Sequence, residues 1–324
     1  MRVELPVNVS HIRQLDVHRD LLQVADLIEL CFANTLDADG REYLRQIRRA
    51  AIDSAYLRWV PGADERVSMP LYGYVWEQDQ RVVGNLSLIP IYKGGRWLYL
   101  IANVAVLPEF RRCGIAHALT LRALRHIRDH RVGSAWLQVR DDNPSAQRLY
   151  EATGFIERSR RTTWVNQFNP PAPQLNGVNV TGRRASDWEQ QLAWLKQTYP
   201  TEATWNMTFD AQRFSYGFWR QVWQWFNGEP HEHWVARQTN PDKLMGFASW
   251  EPSHTLSDQV WLAADPETEV SAIRALLPQV NKFLLPRRRP ININYPAGHA
   301  GQAFIDCGYH ILNTLIWMER PLLP

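Results

Sequence analysis

Apolar positions recur along this chain with two periods, and the switches between them mark out its elements. Residues 7–12 read as a strand. Leu21, Val24, Ile28 and Cys31 then fall at helical spacing, with Asp20 placed as the N-cap. Residues 37–68 are polar and helix-rich, with Arg41, Arg45, Arg48 and Arg49 set among apolar positions. Residues 71–76 and 82–91 alternate as strands, joined by a hairpin at 78–80. Residues 98–107 are nearly all apolar apart from Asn103, which predicts a buried strand. Ala116, Leu119, Ala123 and Ile127 share one face of the next helix, and Gly133 stands where a helix end takes a left-handed residue. Residues 135–139 give another strand. Asn143 then offers an N-cap and Pro144 a first helical residue, in a short helix that stops at Gly154. Residues 155–165 read as one or two strands. The class is mixed α/β, with strand–helix–strand crossovers in the later part.

The run N-P-P-A-P at 169–173, closed by Gly177, cannot join a sheet or a helix interior, because proline fixes φ and lacks a donor. The expected organisation is a domain over 1–168, a linker at 169–177 and a second domain over 178–324, which suits 324 residues at roughly 150 per domain. Of the 15 tryptophans, only Trp59, Trp76, Trp97, Trp136 and Trp164 precede the linker, so the halves differ in character. No stretch approaches the roughly 18 apolar residues of a membrane span, and the N-terminal ten residues lack the apolar core of a signal peptide. Cys31, Cys113 and Cys307 are odd in number and far apart, as expected of reduced thiols in the cytoplasm. A net charge of +3 is too small to argue for nucleic acid and is compatible with a small anionic ligand.

The segment V-A-V-L-P-E-F-R-R-C-G-I-A, residues 104–116, carries the chemistry. A buried strand runs into an arginine-rich turn, with Gly114 and Ala116 at the mouth of a helix. Free N–H groups at a helix start and successive loop amides make an anion site, so a phosphate or pyrophosphate is expected there. The alternative is a plain strand-to-helix turn. Some thirty residues later comes N-P-S-A-Q-R-L-Y-E-A-T-G-F, residues 143–155.

Together the two segments resemble the GNAT acetyltransferase superfamily over roughly residues 5–168. Val106, Pro108, Arg111, Gly114 and Ala116 fit its first pattern. Asn143, Ala146, Leu149, Tyr150, Gly154 and Phe155 fit its second. The resemblance implies acetyl-CoA as co-substrate and no metal. It implies that Arg111, Arg112, Cys113, Gly114, Ile115 and Ala116 wrap the pyrophosphate, and that Val104, Ala105 and Val106 pair with the pantetheine arm. It implies a cofactor contact for Asn143, which is otherwise only a helix cap. Tyr150 is implied as the acid that protonates the departing thiolate, or else it is a half-buried packing residue. Cys113 is a small filler in the turn, since direct transfer to an amine needs no covalent enzyme intermediate. Many relatives carry a glutamate near Asn103, and an amide takes no proton at neutral pH. Glu77, Asp79 and Glu42 remain as bases, or water relays the proton, or the amine arrives neutral.

The C-terminal half repeats these markers in order. V-N-V-S at Val7 recurs at Val178, L-P-E at Leu107 as D-P-E at Asp265, and A-x-x-L-Y-x-x-x-G-F at Ala146 as A-x-x-A-F-x-x-x-G-Y at Ala300. Glu267 and Glu269 replace the basic loop, Ala297 lies opposite Asn143, and Phe304 replaces Tyr150. A second, degenerate GNAT-like copy is expected. Trp188, Trp194, Trp205, Trp219, Trp223, Trp225 and Phe226 serve packing, or an acceptor wall. Arg287 to Arg289 form a solvated loop, or a dock for an acidic acceptor. The expected activity is N-acetylation of a small-molecule or peptide amine by direct attack in a ternary complex. The alternatives are a non-catalytic acyl-CoA-binding module and an acyltransferase that uses another acyl-CoA.

Overall fold

The computed structural model describes residues 9–36, 38–53, 72–93, 95–166, 177–200, 209–215, 231–251 and 256–322. The chain divides into two compact units, Met1–Arg158 with Ile316–Pro324, and Ser159–Leu315. The proline-rich linker, the polar stretch after Asp53, and Trp59, Trp205, Trp219, Trp223, Trp225 and Phe226 lie outside the described residues.

In the first unit β1 (Ile12–Gln14), β2 (Gly73–Gln78), β3 (Arg81–Lys93) and β4 (Arg96–Val106) pair antiparallel in that order. β5 (Ser134–Arg140) joins β4 in parallel. The chain's last residues complete this unit: Leu322 N–H donates to Gly133 O at 2.9 Å, and Ile316 and Met318 enter its core. The first element is shorter than the sequence pattern suggests, with a 3-10 turn at Val9–His11 before β1. Helix α1 (Val17–Phe32) is capped by Asp16, whose side chain accepts from His18 N–H. Asp20, the expected cap, is instead buried one turn in, where Arg13 grips both of its oxygens at 2.6 and 2.8 Å. α2 (Ala38–Ile52) buries Leu44, Ile47 and Ala50.

The β2–β3 hairpin turns through Asp79 and Gln80, at φ 50° and 60°. Two left-handed residues give the turn a twist that matches the strands. α3 (Ile115–Asp129) lays Leu119, Ala123 and Ile127 into the core. It comes close to β3 because residue 84 is glycine: a Cβ there would lie 2.8 Å from Ile115 Cγ2. At the end of α3, Arg131 takes the left-handed conformation, φ 55°, that the sequence pattern assigns to Gly133. α4 (Pro144–Ala152) follows β5.

The second unit contains most of β6 (Ile156–Asn166), then β7 (Val178–Gly182), β8 (Glu232–Gln238), β9 (Lys243–Glu251), β10 (Asp258–Ala264), β11 (Ile291–Pro296) and the first part of β12 (Tyr309–Pro321). β7 to β10 are antiparallel neighbours, β10 and β11 are parallel, and β11 pairs antiparallel with β6. α6 (Glu269–Leu284) packs Ile273, Leu276, Leu277 and Val280 against one face. α5 (Trp188–Thr198) covers the other with Leu195, over Tyr199, Phe209, Phe214 and Trp261. α7 (Gly301–Asp306) holds Phe304 stacked on Trp164, centroids 4.7 Å apart. Trp164, Trp250 and Trp261 are buried, so these three serve packing. The basic run is anchored: Arg287 Nε donates to buried Asp258 at 2.8 Å and Arg289 lies 3.7 Å from the same carboxylate.

Candidate active site

The site begins with a defect in β4. Asn85 pairs with Ala105 and Ser87 with Ala102, so two residues of β4 stand opposite Leu86 alone. This is a β-bulge, and its residue Asn103 sits at φ 52°. Asparagine tolerates the left-handed region better than other residues with a side chain. The parallel pairing of β4 with β5 covers only Tyr99 to Ile101 against Ala135 to Leu137. Beyond it the strands separate, leaving Val104 and Val106 half-buried while Ala105 faces the core.

Past the open edge, the chain turns through a 3-10 segment, Pro108–Phe110, into the expected loop. Arg111, Arg112, Cys113 and Gly114 are exposed, Ala116 is half-buried and Ile115 is buried. Arg112 and Gly114 are left-handed, φ 68° and 78°, and curve the backbone on either side of Cys113. Gly114 provides no side-chain cap, and the first turn of α3 holds no acid. The first amides of the helix and its positive dipole end therefore face outward beside two arginines, which suits a phosphate ligand. Arg111 Nε donates to Val106 O at 3.1 Å, and that carbonyl also accepts from Cys31 Sγ at 3.3 Å.

Asn143 is exposed and caps α4, its side-chain oxygen accepting from Ala146 N–H at 3.1 Å. Tyr150, about two helix turns further in, is 6% exposed and meets Phe155 edge-on at 5.9 Å. Burial pushes its phenol well above the usual value, so the proton is held at neutral pH. Its hydroxyl makes no hydrogen bond to a described residue. Because β4 and β5 are parallel, the loops after both reach the same end of the sheet.

Of the carboxylates considered as bases, Glu77 and Asp79 lie at the hairpin, whereas Glu42 adjoins Tyr43 in α2. Glu77 is held below the ordinary carboxylate value by hydrogen bonds from Arg13, which outweigh its burial, and also from Arg19. It pairs with Val82, about 13 Å along the sheet from the bulge at 3.3 Å per residue. Asp79 is in the hairpin turn, and Glu42 pairs with Arg45 at 2.8 Å. Around the bulge stand four neutral groups. Asn103 Nδ2 donates to Tyr43 Oη at 2.9 Å and Ser87 Oγ at 3.2 Å, and Asn85 Nδ2 donates to Asn103 O at 3.0 Å. The sequence signals Asn103 as an odd residue in an apolar strand. It gives no sign of Tyr43, sixty residues away.

The second unit has the same separation of strands and a different filling. β10 and β11 pair only at Asp258 and Gln259. Beyond that, Leu262 N–H donates to Tyr199 Oη at 3.2 Å, and buried Arg161 lies 4.8 Å from the Tyr199 ring. Lys243 bridges Asp265 and Glu267, and Glu269 accepts from Tyr295 Oη at 2.7 Å.

The acetyltransferase (GNAT) family profile matches residues 35–155, the segment that builds the bulge, the loop and Tyr150. This segment belongs to the GNAT family. A mycothiol acetyltransferase from Nocardiopsis dassonvillei is 48% identical over 52 residues, which is 16% of each chain. The ribosomal protein bS18-alanine N-acetyltransferase of Escherichia coli K12 is 36% identical over 62 residues, 19% of this chain and 42% of that one. The matched stretch thus spans less than half the length of these relatives. A GCN5-related N-acetyltransferase from Sphaerobacter thermophilus has a similar fold, with TM-score 0.56 and 17% identity over 97% of this chain and 96% of that one. A tandem GNAT protein from the clavulanic acid biosynthesis pathway aligns at TM-score 0.50 and 16% identity, over 97% and 98% of the two chains. The fold is two GNAT-like domains in tandem, each a mixed sheet flanked by helices.

Proposed function

We propose that the chain is an acetyl-CoA-dependent N-acetyltransferase with one acyl-CoA site, in the first unit. The observation that carries this reading is the continuity from the open edge of β4 at Val104 and Val106 to the uncapped, arginine-flanked start of α3. A molecule with a strand-like arm and a pyrophosphate suits both parts at once. Val104, Ala105 and Val106 offer backbone groups to the arm. Arg111, Arg112, Cys113, Gly114, Ile115 and Ala116 cradle the phosphates through amides and charge. Asn143 Nδ2 is free to donate to the arm.

The chemistry is direct attack of an amine on the thioester carbonyl. The C–S bond breaks, and the sulfur leaves with the electron pair. Tyr150, kept protonated by burial, gives that sulfur a hydrogen bond and a proton. No residue is acylated, and Cys113 stays outside the chemistry. In the second unit, Tyr199 occupies the strand edge, acids surround the helix start and Phe304 has no proton to give. The acceptor is an amine of a small molecule or peptide. Three unpaired cysteines suit a reducing compartment, the cytoplasm.

A thiol-release assay with acetyl-CoA, succinyl-CoA and a longer acyl-CoA against a broad amine panel tests the reading. Multiple turnovers with acetyl-CoA and at least one amine are expected. Binding of acyl-CoA without turnover on any amine would leave the non-catalytic module as the function.

A further inference from the structure

We infer that the corner where the end of β12 passes between the end of α3 and the turn after α4 is an anion site, in which Arg128 and Arg320 together hold a phosphate dianion, free or as a phosphate monoester. It is a second site of the first unit, apart from the loop before α3.

The backbone builds the corner. α3 closes with Arg131 N–H donating to Arg128 O at 2.9 Å and Val132 N–H to Ile127 O at 3.2 Å. Gly133 follows, and its carbonyl accepts from Leu322 N–H, so the end of β12 lies against the end of α3. On β12, Glu319 is held by Arg158 at 2.8 Å. The next residue, Arg320, crosses to the turn after α4, where Gly154 takes φ 84°. A Cβ on Gly154 would lie 3.1 Å from Arg320 Nη1, 3.2 Å from Cζ and 3.5 Å from Nε. Three guanidinium atoms at nearly one distance mean that the group lies flat on the glycine. Flat seating covers one face and leaves the N–H edges, which lie in the plane of the group, available to a ligand. Arg320 is half-buried, and Arg128 and Gly154 are exposed, so the corner is open to solvent.

Neither guanidinium hydrogen-bonds or ion-pairs with a described residue. Burial, and then the charge of Arg128, push the Arg320 guanidinium below its ordinary value. Two like charges thus stand together without an acid to offset them. Each alone suits the negative end of a helix, α3 for Arg128 and α4 for Arg320. The last turn of α4 makes no call on Arg320, because Thr153, Gly154 and Phe155 N–H already donate to Leu149, Glu151 and Tyr150 carbonyls. Helix ends therefore account for each arginine and not for their convergence. A dianion accounts for both: the pair offers two charges and planar donor edges, and a phosphate monoester carries about −1.5 to −2 at pH 7. Arg128 lies fourteen residues along α3 from Gly114, about 21 Å at 1.5 Å per residue, which separates this corner from phosphates held at the loop.

Calorimetry on the intact chain in chloride buffer, with excess coenzyme A to fill the loop, tests the site with glycerol 3-phosphate, inorganic phosphate and acetate. One equivalent of a phosphate ligand is expected, with the monoanion acetate at least tenfold weaker. Whichever phosphate binds more tightly names the source, monoester or free ion. Arg128→Gln and Arg320→Gln should each weaken phosphate binding at least tenfold and leave acetyl-CoA affinity within threefold. A thermal melt separates this role from helix-end charge. In chloride alone Arg128→Gln should melt no lower than wild type, since a repulsion is removed, and it should lack the wild-type rise on adding phosphate. The inference is overturned by no phosphate binding to wild type, by unchanged binding in either variant, or by acetate binding as tightly as phosphate. A variant that melts lower in chloride yet keeps the phosphate-induced rise also overturns it, and leaves the arginines as helix-end charges. Acetyl-CoA affinity falling in parallel with phosphate affinity would assign them to the cofactor and overturn it too. Absence of coenzyme A binding would bear on the acetyltransferase reading alone, because the variants still report this site by difference.

Discussion

Replacing Tyr150 by phenylalanine removes one oxygen from a buried ring. The ring keeps its edge-on approach to Phe155, and no hydrogen bond to a described residue is lost. The expected cost in folding stability is within about 0.5 kcal/mol, the range of substitutions that break no named interaction. A positioned general acid contributes about 10²- to 10⁴-fold to rate, so kcat should fall by at least 100-fold, about 3 kcal/mol of transition-state stabilisation. The oxygen lies apart from the phosphate loop in sequence and in element, so acetyl-CoA affinity should change less than threefold. Because burial raises the phenol's pKa, wild-type activity should show no loss from Tyr150 ionisation up to pH 10. Thiol release gives kcat, calorimetry gives the cofactor Kd and a thermal melt gives stability. An unchanged kcat with normal folding would exclude Tyr150 as the acid. A large drop in melting temperature would show a packing residue instead.

Two further perturbations probe the loop and the frame. Gly114→Val places a β-branched residue at φ 78°, a conformation that costs about 1–2 kcal/mol for any residue with a Cβ, and acetyl-CoA affinity measured by calorimetry should weaken at least tenfold while the second unit's fold persists. Asp20→Asn leaves Arg13 with Glu77 alone and should cost about 3 kcal/mol at pH 7 by denaturant unfolding. Burial is the largest single influence and tends to raise Asp20, but the Arg13 hydrogen bonds, the Asp16 N–H and the charges of Arg13 and Arg19 together outweigh it and leave the carboxyl below the ordinary value near 4. The unfolded state then binds the proton more tightly. The pair's stabilisation is present above pH 4 and is lost as pH falls through the lower folded value, so the difference between wild type and Asp20→Asn should shrink below pH 4.

Local chemistry made much of the first unit readable. Asn143 before Pro144 announces a capped helix, and α4 begins there. Leu119, Ala123 and Ile127 face the core because a 3.6-residue period puts them on one face, while Ala116 at the helix start is only half-buried. What could not be read depends on partners distant in the chain. Asp20 looks like a cap until Arg13 is seen to hold it, while Asp16, four residues earlier, caps the helix. The left-handed residue at the end of α3 is Arg131, and arginine has no intrinsic preference that signals it. The network at Asn103 draws on Tyr43 and Ser87 from separate elements. The completion of the first unit by Ile316–Pro324 leaves no local trace in the sequence. Tyr199 is equally silent: its role appears only when β10 and β11 part and Leu262 N–H needs an acceptor.

The central claim is a single acyl-CoA site built from the open edge of β4 and the loop before α3. Titration calorimetry of acetyl-CoA into the intact chain tests it most directly. The account predicts binding at one molecule per chain, abolished or strongly weakened by Gly114→Val. No binding, or two equivalents per chain with the Gly114→Val protein still binding one, would contradict it.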